Sequence, residues 1–218
     1  RQARAISRGV EVLAESLRRG GCVLFIGAGT SGRLAVLEAA ECPSTFNTFP
    51  RQIRAIMAGG NASVFRSKEG AEDNAAAGAS AVSALKPGDT VVGIAASGVT
   101  PFVRAALKRA QRLGCRTILI TSNGHPPDNP AQLLIAAQVG PEVVAGSTRL
   151  KSATAAKLVL NTLTTGAMIR LGKVYDQWMV DLKPTSRKLR LRGQRLVAHL
   201  GRVKPRRADA LFNASGGR

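Results

Sequence analysis

The chain alternates short aliphatic runs with stretches of helical periodicity, and this alternation constrains its fold more than any other feature. Each run has the length of a β-strand, and most of the gaps between runs can hold a crossover helix, as in βαβ units. The runs lie at 22–26, 53–58, 90–95 and 116–121, with a weaker fifth at 133–137. We therefore predict an α/β protein, a three-layer α-β-α sandwich with a five-stranded parallel sheet.

Helical patterns surround these runs. They lie at 4–19, 31–41, 69–85, 101–113 and 147–171. With 218 residues, 44% of them hydrophobic and mostly aliphatic, the chain suits one domain whose strands are covered on both faces. We assign residues 1–182 to this domain.

The remaining segment, residues 183–218, is strongly basic. It carries eleven Lys or Arg and a single acid, Asp209, in a chain of net charge +19. Such a segment can bind nucleic acid, but it has no interleaved aromatic residues and matches no nucleic-acid-binding motif. We expect a solvated helix at 185–203 and a poorly ordered tail after Lys204, a remnant of or lead into a small helical domain.

Three cysteines, Cys22, Cys42 and Cys115, are too few and too scattered for a disulfide framework or a zinc site. No run reaches transmembrane length, and no signal peptide is visible in the sequence. We therefore expect a protein of the reducing cytoplasm, without membrane contact or a bound metal.

A glycine loop, Gly27-Ala28-Gly29-Thr30-Ser31-Gly32, joins the first strand to a helix. The G-x-G-x-x-G spacing in this position is typical of dinucleotide binding, but a dinucleotide site also wants an acid after the second strand. That strand ends in Met57-Ala58-Gly59-Gly60. Because the glycines let a helix N-terminus approach an anion, and Thr30 and Ser31 add hydroxyl donors, the loop favours a phosphate monoester.

A second loop, 96–101, also follows a strand and precedes a helix. Ser97 and Thr100 offer hydroxyls, and Pro101 suits a first helical turn. Alone this pattern is an ordinary N-cap, but open α/β sheets bind ligands where several strands end. Two such loops therefore predict one anion site.

A third helix start carries Ser147 as a predicted cap, with Arg149 and Lys151 close behind. These cations complement a sugar phosphate, and plain capping with solvated charges explains them equally well. The pattern leaves both interpretations open.

Only thirteen Asp and Glu residues occur, so those near the loops are informative. Glu41 closes the helix that begins at the glycine loop, and Glu69, Glu72 and Asp73 follow the second strand. Acids in a first helical turn commonly stabilise the helix dipole, whereas two acids beside a substrate serve as general acid and base. Spacing alone does not decide between these roles. His125 lies in a Gly/Pro-rich loop and is expected to be exposed.

Four blocks stand in the chain in this order: IGAGTSGRLAVLEAAECP, EGAEDN, GIAASGVTPF and VGPEVVAGSTRLK. Together they resemble the N-acetylmuramic acid 6-phosphate etherase family, of which the animal glucokinase regulatory protein is a relative. The resemblance covers roughly residues 10–195 and implies a sugar isomerase (SIS) domain of flavodoxin-like topology. It also implies a homodimer with the site at the subunit interface, a sugar-phosphate substrate and no metal or other cofactor.

The resemblance further implies a carbon–oxygen lyase. Such an enzyme eliminates lactate from the 3-position of N-acetylmuramic acid 6-phosphate and then adds water, giving N-acetylglucosamine 6-phosphate and D-lactate. A base takes the C2 proton, which the open-chain aldehyde at C1 acidifies, and an acid protonates the departing ether oxygen. By their positions in the motifs, Glu41 receives the acid role and Glu72 the base role.

Phosphate binding falls, by the same resemblance, to Ser31, Ser97, Gly98 and Thr100. One departure is Val99, which stands where the family usually has Arg and so removes a cation beside the second loop. A non-catalytic sugar-phosphate-sensing regulatory protein is the first alternative function, and the paired acids argue against it. A sugar-phosphate isomerase or aldolase-like enzyme is the second, and the ECP block argues against that one.

Overall fold

A parallel sheet of five strands forms the centre of the protein, in the order β2-β1-β3-β4-β5. The structure is a computed structural model that describes residues 2–184 and 186–216. The strands are β1 Val23–Gly27, β2 Ile53–Met57, β3 Thr90–Ile94, β4 Arg116–Thr121 and β5 Leu133–Ala136. This order is the flavodoxin-like one, so the predicted five-stranded parallel sheet is confirmed.

Helices cover both faces of the sheet. They are α1 Ala3–Arg18, α2 Gly29–Phe46, α3 Ala75–Ala81, α4 Pro101–Arg112 and α5 Lys151–Arg170. Because side chains alternate along a strand, Phe25 of β1 packs with α1, α2 and α5, whereas its neighbours Leu24 and Ile26 pack with α4. The predicted three-layer sandwich is confirmed.

The segment 69–85 differs from the single helix that its pattern predicts. It forms a 3₁₀ turn at Ala71–Asp73, and α3 begins only at Ala75. Gly70 has φ +68°, and the Asn74 side chain accepts a hydrogen bond from the Ala77 amide at 2.8 Å, which makes Asn74 the N-cap. Glu72 therefore lies in a loop before the helix.

Helix α3 lies very close to the start of α4. A Cβ atom on Gly78 would lie 2.0 Å from the carbonyl oxygen of Phe102, so only glycine permits this approach. The contact holds the loop before α3 against the body of the domain.

Beyond α5 the chain forms a short antiparallel hairpin and two helices. These are β6 Val174–Tyr175, β7 Trp178–Met179, α6 Arg187–Leu200 and α7 Pro205–Ala214. The Trp178 ring lies 5.0 Å from the His199 ring, centroid to centroid, and connects the hairpin to α6. None of the helices in the described residues is long and apolar enough to cross a membrane.

Helix α6 confirms the predicted basic helix, apart from residue 185, which lies outside the described residues. The expectation of a poorly ordered tail after Lys204 is wrong as far as residue 216, because that stretch forms α7. Pro205 occupies the first turn, where its missing N–H costs nothing. Phe212 then packs on Gly193 of α6, whose Cβ would lie 2.4 Å from the ring.

Candidate active site

The glycine loop runs directly from β1 into α2. Gly29 has φ +53°, and a Cβ on Gly32 would lie 2.8 Å from the carbonyl oxygen of Gly27, so the tight turn needs both glycines. The N-cap residue is Ala28, whose side chain has no acceptor, so the first amides of α2 stay free for an anion. Thr30 and Ser31 follow within this first turn.

Side chains at the end of β4 and just beyond it hold the second loop, which lies between β3 and α4. Thr121 Oγ1 donates to the Ala96 carbonyl at 2.9 Å, and Asn123 Nδ2 donates to the Ser97 carbonyl at 3.1 Å. Gly98 is buried with φ +77°, and a Cβ there would lie 2.6 Å from Pro126. The Ser97 hydroxyl accepts weakly from the Val99 amide at 3.3 Å.

A small cavity lies where these loops meet α5, and we call it the hydroxyl cavity. Five serine and threonine residues line it: Ser31, Thr121, Ser122, Thr148 and Ser152. Sequence reasoning found only Ser31. Ser122 could have been predicted from the sequence, because it directly follows β4 at the sheet edge that carries the two loops.

The start of α5 departs from the prediction. Ser147 does not cap this helix, which begins at Lys151. Instead the Glu142 carboxylate accepts hydrogen bonds from the Lys151 and Ser152 amides, both at 2.9 Å. The Ser152 amide bond is the main cause that lowers the pKa of Glu142, and the Lys151 charge adds to it.

Distance from the first helical residue explains why Glu142, and not Ser147, caps α5. A carboxylate satisfies two helix amides at once and also complements the helix dipole, whereas Ser147 lies too far before the first helical residue to do either. The amides at the start of α5 are therefore already bonded, and any role of Ser147 and Lys151 in substrate binding must come from their side chains.

A cleft of about 240 Å³ opens beside the glycine loop, and we call it the Glu72 cleft. Its walls include Gly29, Met57, Lys68, Glu69 and Glu72. A neighbouring cavity of about 480 Å³ shares the segment 68–71 and extends to α4. The structure thus brings the predicted catalytic base, Glu72, next to the predicted phosphate loop.

An arginine on α2 fixes the chain that leads into this cleft. Arg33 Nε donates to the Val64 carbonyl at 2.8 Å, and its Nη2 donates to the Ser63 carbonyl at 3.1 Å. The segment that carries Glu72 is thereby tied to the helix that carries the glycine loop.

Glu41 lies elsewhere. It is exposed on α2, twelve residues beyond Gly29, which is about 18 Å along the helix axis. It lines neither the hydroxyl cavity nor the Glu72 cleft in the described chain. Within one chain the structure does not bring Glu41 and Glu72 together.

Glu38, one turn before Glu41, escaped sequence reasoning. Its side chain is only 7% exposed, and its carboxylate accepts hydrogen bonds from the Thr164 hydroxyl and, at 2.7 Å, from Asn161 Nδ2, both on α5. Burial raises the pKa of Glu38, and the nearby charge of Glu41 adds to the effect.

The signal for Glu38 was present in the sequence. Ala35, Glu38 and Cys42 recur at helical spacing, and all three are buried. Glu38 therefore occupies the core face of α2, whereas Glu41 occupies the exposed face.

His125 is exposed, as predicted. Across residues 2–184 and 186–216, no three His, Cys, Asp or Glu side chains cluster closely enough to hold a metal ion.

The fold and its loops define the class of this protein. Residues 5–111 match the family described as the glucokinase regulatory protein N-terminal SIS domain. A phosphoheptose isomerase from Francisella tularensis superposes with a TM-score of 0.57 at 19% identity, covering 77% of this chain and 86% of that one. The chain therefore has the SIS fold, as predicted.

Two relatives then define the family. The N-acetylmuramic acid 6-phosphate etherase of Symbiobacterium thermophilum is 51% identical over 217 residues, covering 97% of this chain and 71% of the relative. That of Gloeobacter violaceus is 49% identical over 219 residues, covering 98% and 71%. The chain belongs to the N-acetylmuramic acid 6-phosphate etherase family, as its motifs predicted.

Proposed function

We propose that this protein is a lyase that cleaves the lactyl ether of N-acetylmuramic acid 6-phosphate, yielding N-acetylglucosamine 6-phosphate and D-lactate. The observation that carries the proposal is the Glu72 cleft, where a carboxylate stands beside a phosphate loop in a chain of the etherase family. Its free cysteines suit a cytoplasmic location.

The 6-phosphate binds at the ends of β1 and β3. Gly29, Thr30 and Ser31 offer amides and hydroxyls from one loop, and Ser97, Gly98 and Thr100 offer them from the other. Since most of these groups are uncharged, they position the phosphate by hydrogen bonding more than by charge.

The elimination needs one base and one acid. Glu72 takes the C2 proton, the C2–H electron pair forms the C2–C3 double bond, and the C3–O bond breaks as Glu41 protonates the departing lactate oxygen. The Glu41 carboxylate then takes a proton from the water that adds at C3, and Glu72 returns its proton to C2. Both residues thus end the cycle in the protonation states in which they began.

The position of Glu41 supports a site shared between two copies of the chain. Glu41 lies far along α2 from its own Glu72 cleft, and we infer that a second copy supplies it. Leu37, one turn before Glu41 on the same face, is 42% exposed, and Leu158 of α5 is 62% exposed. These apolar side chains suit a homodimer contact beside Glu41.

Lactate release from N-acetylmuramic acid 6-phosphate tests the function directly. We expect stoichiometric D-lactate and N-acetylglucosamine 6-phosphate, with one atom of solvent oxygen in the sugar. A folded protein that binds the sugar phosphate but releases no lactate would overturn the lyase proposal in favour of a sugar-phosphate sensor.

A further inference from the structure

The proposed substrate carries two anionic groups, and the loops described so far account for only one of them. Besides the 6-phosphate there is the carboxylate of the lactyl ether. It lies a few bonds from C2, the atom from which Glu72 takes a proton. The lactyl carboxylate and the Glu72 carboxylate therefore repel each other strongly in a partly enclosed cleft. Binding in this orientation requires a cation nearby.

The walls of the cleft contain one such cation. Lys68 lines both the Glu72 cleft and the neighbouring cavity, and the other charged residues along these walls, Glu69 and Glu72, are acids. Lys68 is exposed, and within the described residues no carboxylate lies within ion-pair distance of its ammonium group.

The other nearby cation is already engaged. Arg33 donates to two backbone carbonyls, those of Val64 and Ser63, and so serves the loop itself. Val99 occupies the position at which a cation would stand beside the second phosphate loop, and it is 44% exposed. Among the described residues that line the two cavities, Lys68 is therefore the charged donor available to a second anion.

The turn fixes Lys68 relative to Glu72. The Ala71 amide donates to the Lys68 carbonyl at 3.4 Å, and the Asp73 amide donates to the Gly70 carbonyl at 3.2 Å. Gly70, in the left-handed region, reverses the chain between the two side chains so that both line the same cleft. The base and the cation are thus carried by one tight turn.

We propose that Lys68 binds the carboxylate of the lactyl ether and makes the site selective for 3-ethers that bear a negative charge. The inference rests on the proposed function, since it takes the substrate from there. A lysine suits the task, because its flexible stem brings a compact point charge to a carboxylate whose orientation changes as the ether bond breaks.

Binding measurements in a variant that does not turn over separate this proposal from the lyase reaction. In Glu72→Gln protein, calorimetry compares the lactyl ether with its lactamide analogue, which has the same shape but no charge. Adding Lys68→Met should weaken binding of the carboxylate about tenfold or more and change binding of the amide less than about twofold. Lys68→Arg should retain the preference for the carboxylate.

Lys108→Met, an exposed substitution on α4 outside the cavities, is the matched control and should change neither affinity. Equal losses for both ligands in Lys68→Met, or no loss for either, would overturn the carboxylate assignment. Failure of the wild-type chain to release lactate would overturn the proposed function, and the selective loss in the binding experiment would still support Lys68.

Discussion

The first turn of α2 and its later turns differ in chemistry. The first turn carries Thr30 and Ser31 beside free amides, and it belongs to the hydroxyl cavity and the phosphate loop. Three turns on, two carboxylates stand one turn apart, with Glu38 buried against α5 and Glu41 exposed. One rigid helix thus separates the proposed anion-binding turn from a pair of acids by a fixed distance.

This contrast teaches that membership in a motif does not place residues in one site. Glu41 and the glycine loop belong to a single continuous block of sequence, yet only the loop reaches the Glu72 cleft. The helix that makes the block continuous also makes its two ends remote. If a second copy of the chain closes this gap, variants of the two acids should complement each other.

Subunit mixing should have the largest effect. Glu41→Gln and Glu72→Gln should each lower lactate release at least about a hundredfold, because each removes one proton-transfer group. Glu72→Gln should also abolish solvent exchange at C2, and Glu41→Gln should leave some. If the site is shared, refolding an equal mixture of the two variants should restore about a quarter of wild-type activity, since heterodimers have one intact site.

The control for mixing is Glu41→Gln with Glu41→Ala, which cannot rebuild an intact site. Absence of recovery in the first mixture, with heterodimers verified by mass spectrometry, would place both acids on one chain and contradict the shared site.

Variants of Glu38 test how much the buried carboxylate of α2 contributes to stability. Glu38→Ala leaves the Thr164 hydroxyl and the Asn161 amide without their partner, which should lower the free energy of unfolding by about 1–3 kcal/mol. Glu38→Gln keeps the shape and one acceptor and should cost less. Urea unfolding measures both, with the exposed Glu69→Gln as the control.

The contribution of Glu38 to the free energy of unfolding should also depend on pH. Burial raises the folded-state pKa of Glu38 above its value in the unfolded chain, so the folded protein holds the proton more tightly. The stability from this site is therefore complete below the unfolded-chain pKa and is lost as pH rises through the folded-state pKa. Glu38→Gln should remove this decline, and an unchanged pH profile would show that Glu38 does not titrate as the structure indicates.

Val99→Arg should have the smallest effect. Restoring a cation beside the second loop adds an exposed charge near the phosphate, which should lower KM about twofold to fivefold at low salt and leave kcat unchanged. The gain should shrink as ionic strength rises. Leu200→Arg on α6 adds the same charge at an exposed position that lines neither the hydroxyl cavity nor the Glu72 cleft, and an equal change in both variants would show a nonspecific effect of net charge.

The sequence was sufficient for the features that depend on neighbours along the chain. Aliphatic runs predicted the five strands, and the spacing of Gly27, Gly29 and Gly32 predicted a tight turn that the structure shows. The family motifs predicted the SIS fold and the family. Each of these signals lies within a few residues of the feature that it specifies.

Features that join distant segments were missed. The hydroxyl cavity gathers Ser31, Thr121, Ser122, Thr148 and Ser152 from separate parts of the chain, and the Glu142 cap requires a loop to fold back on α5. Spacing cannot show such contacts, because they depend on how the elements pack. Glu38 was different, since its helical spacing with Ala35 and Cys42 already indicated a buried carboxylate.

The Glu142 cap has a consequence for the energetics of ligand binding. Because the chain supplies its own anion to the first amides of α5, this helix is complete before any substrate arrives. The proposed phosphate site therefore spends no binding free energy on ordering this helix, whose Ser152 lines the hydroxyl cavity beside Ser31.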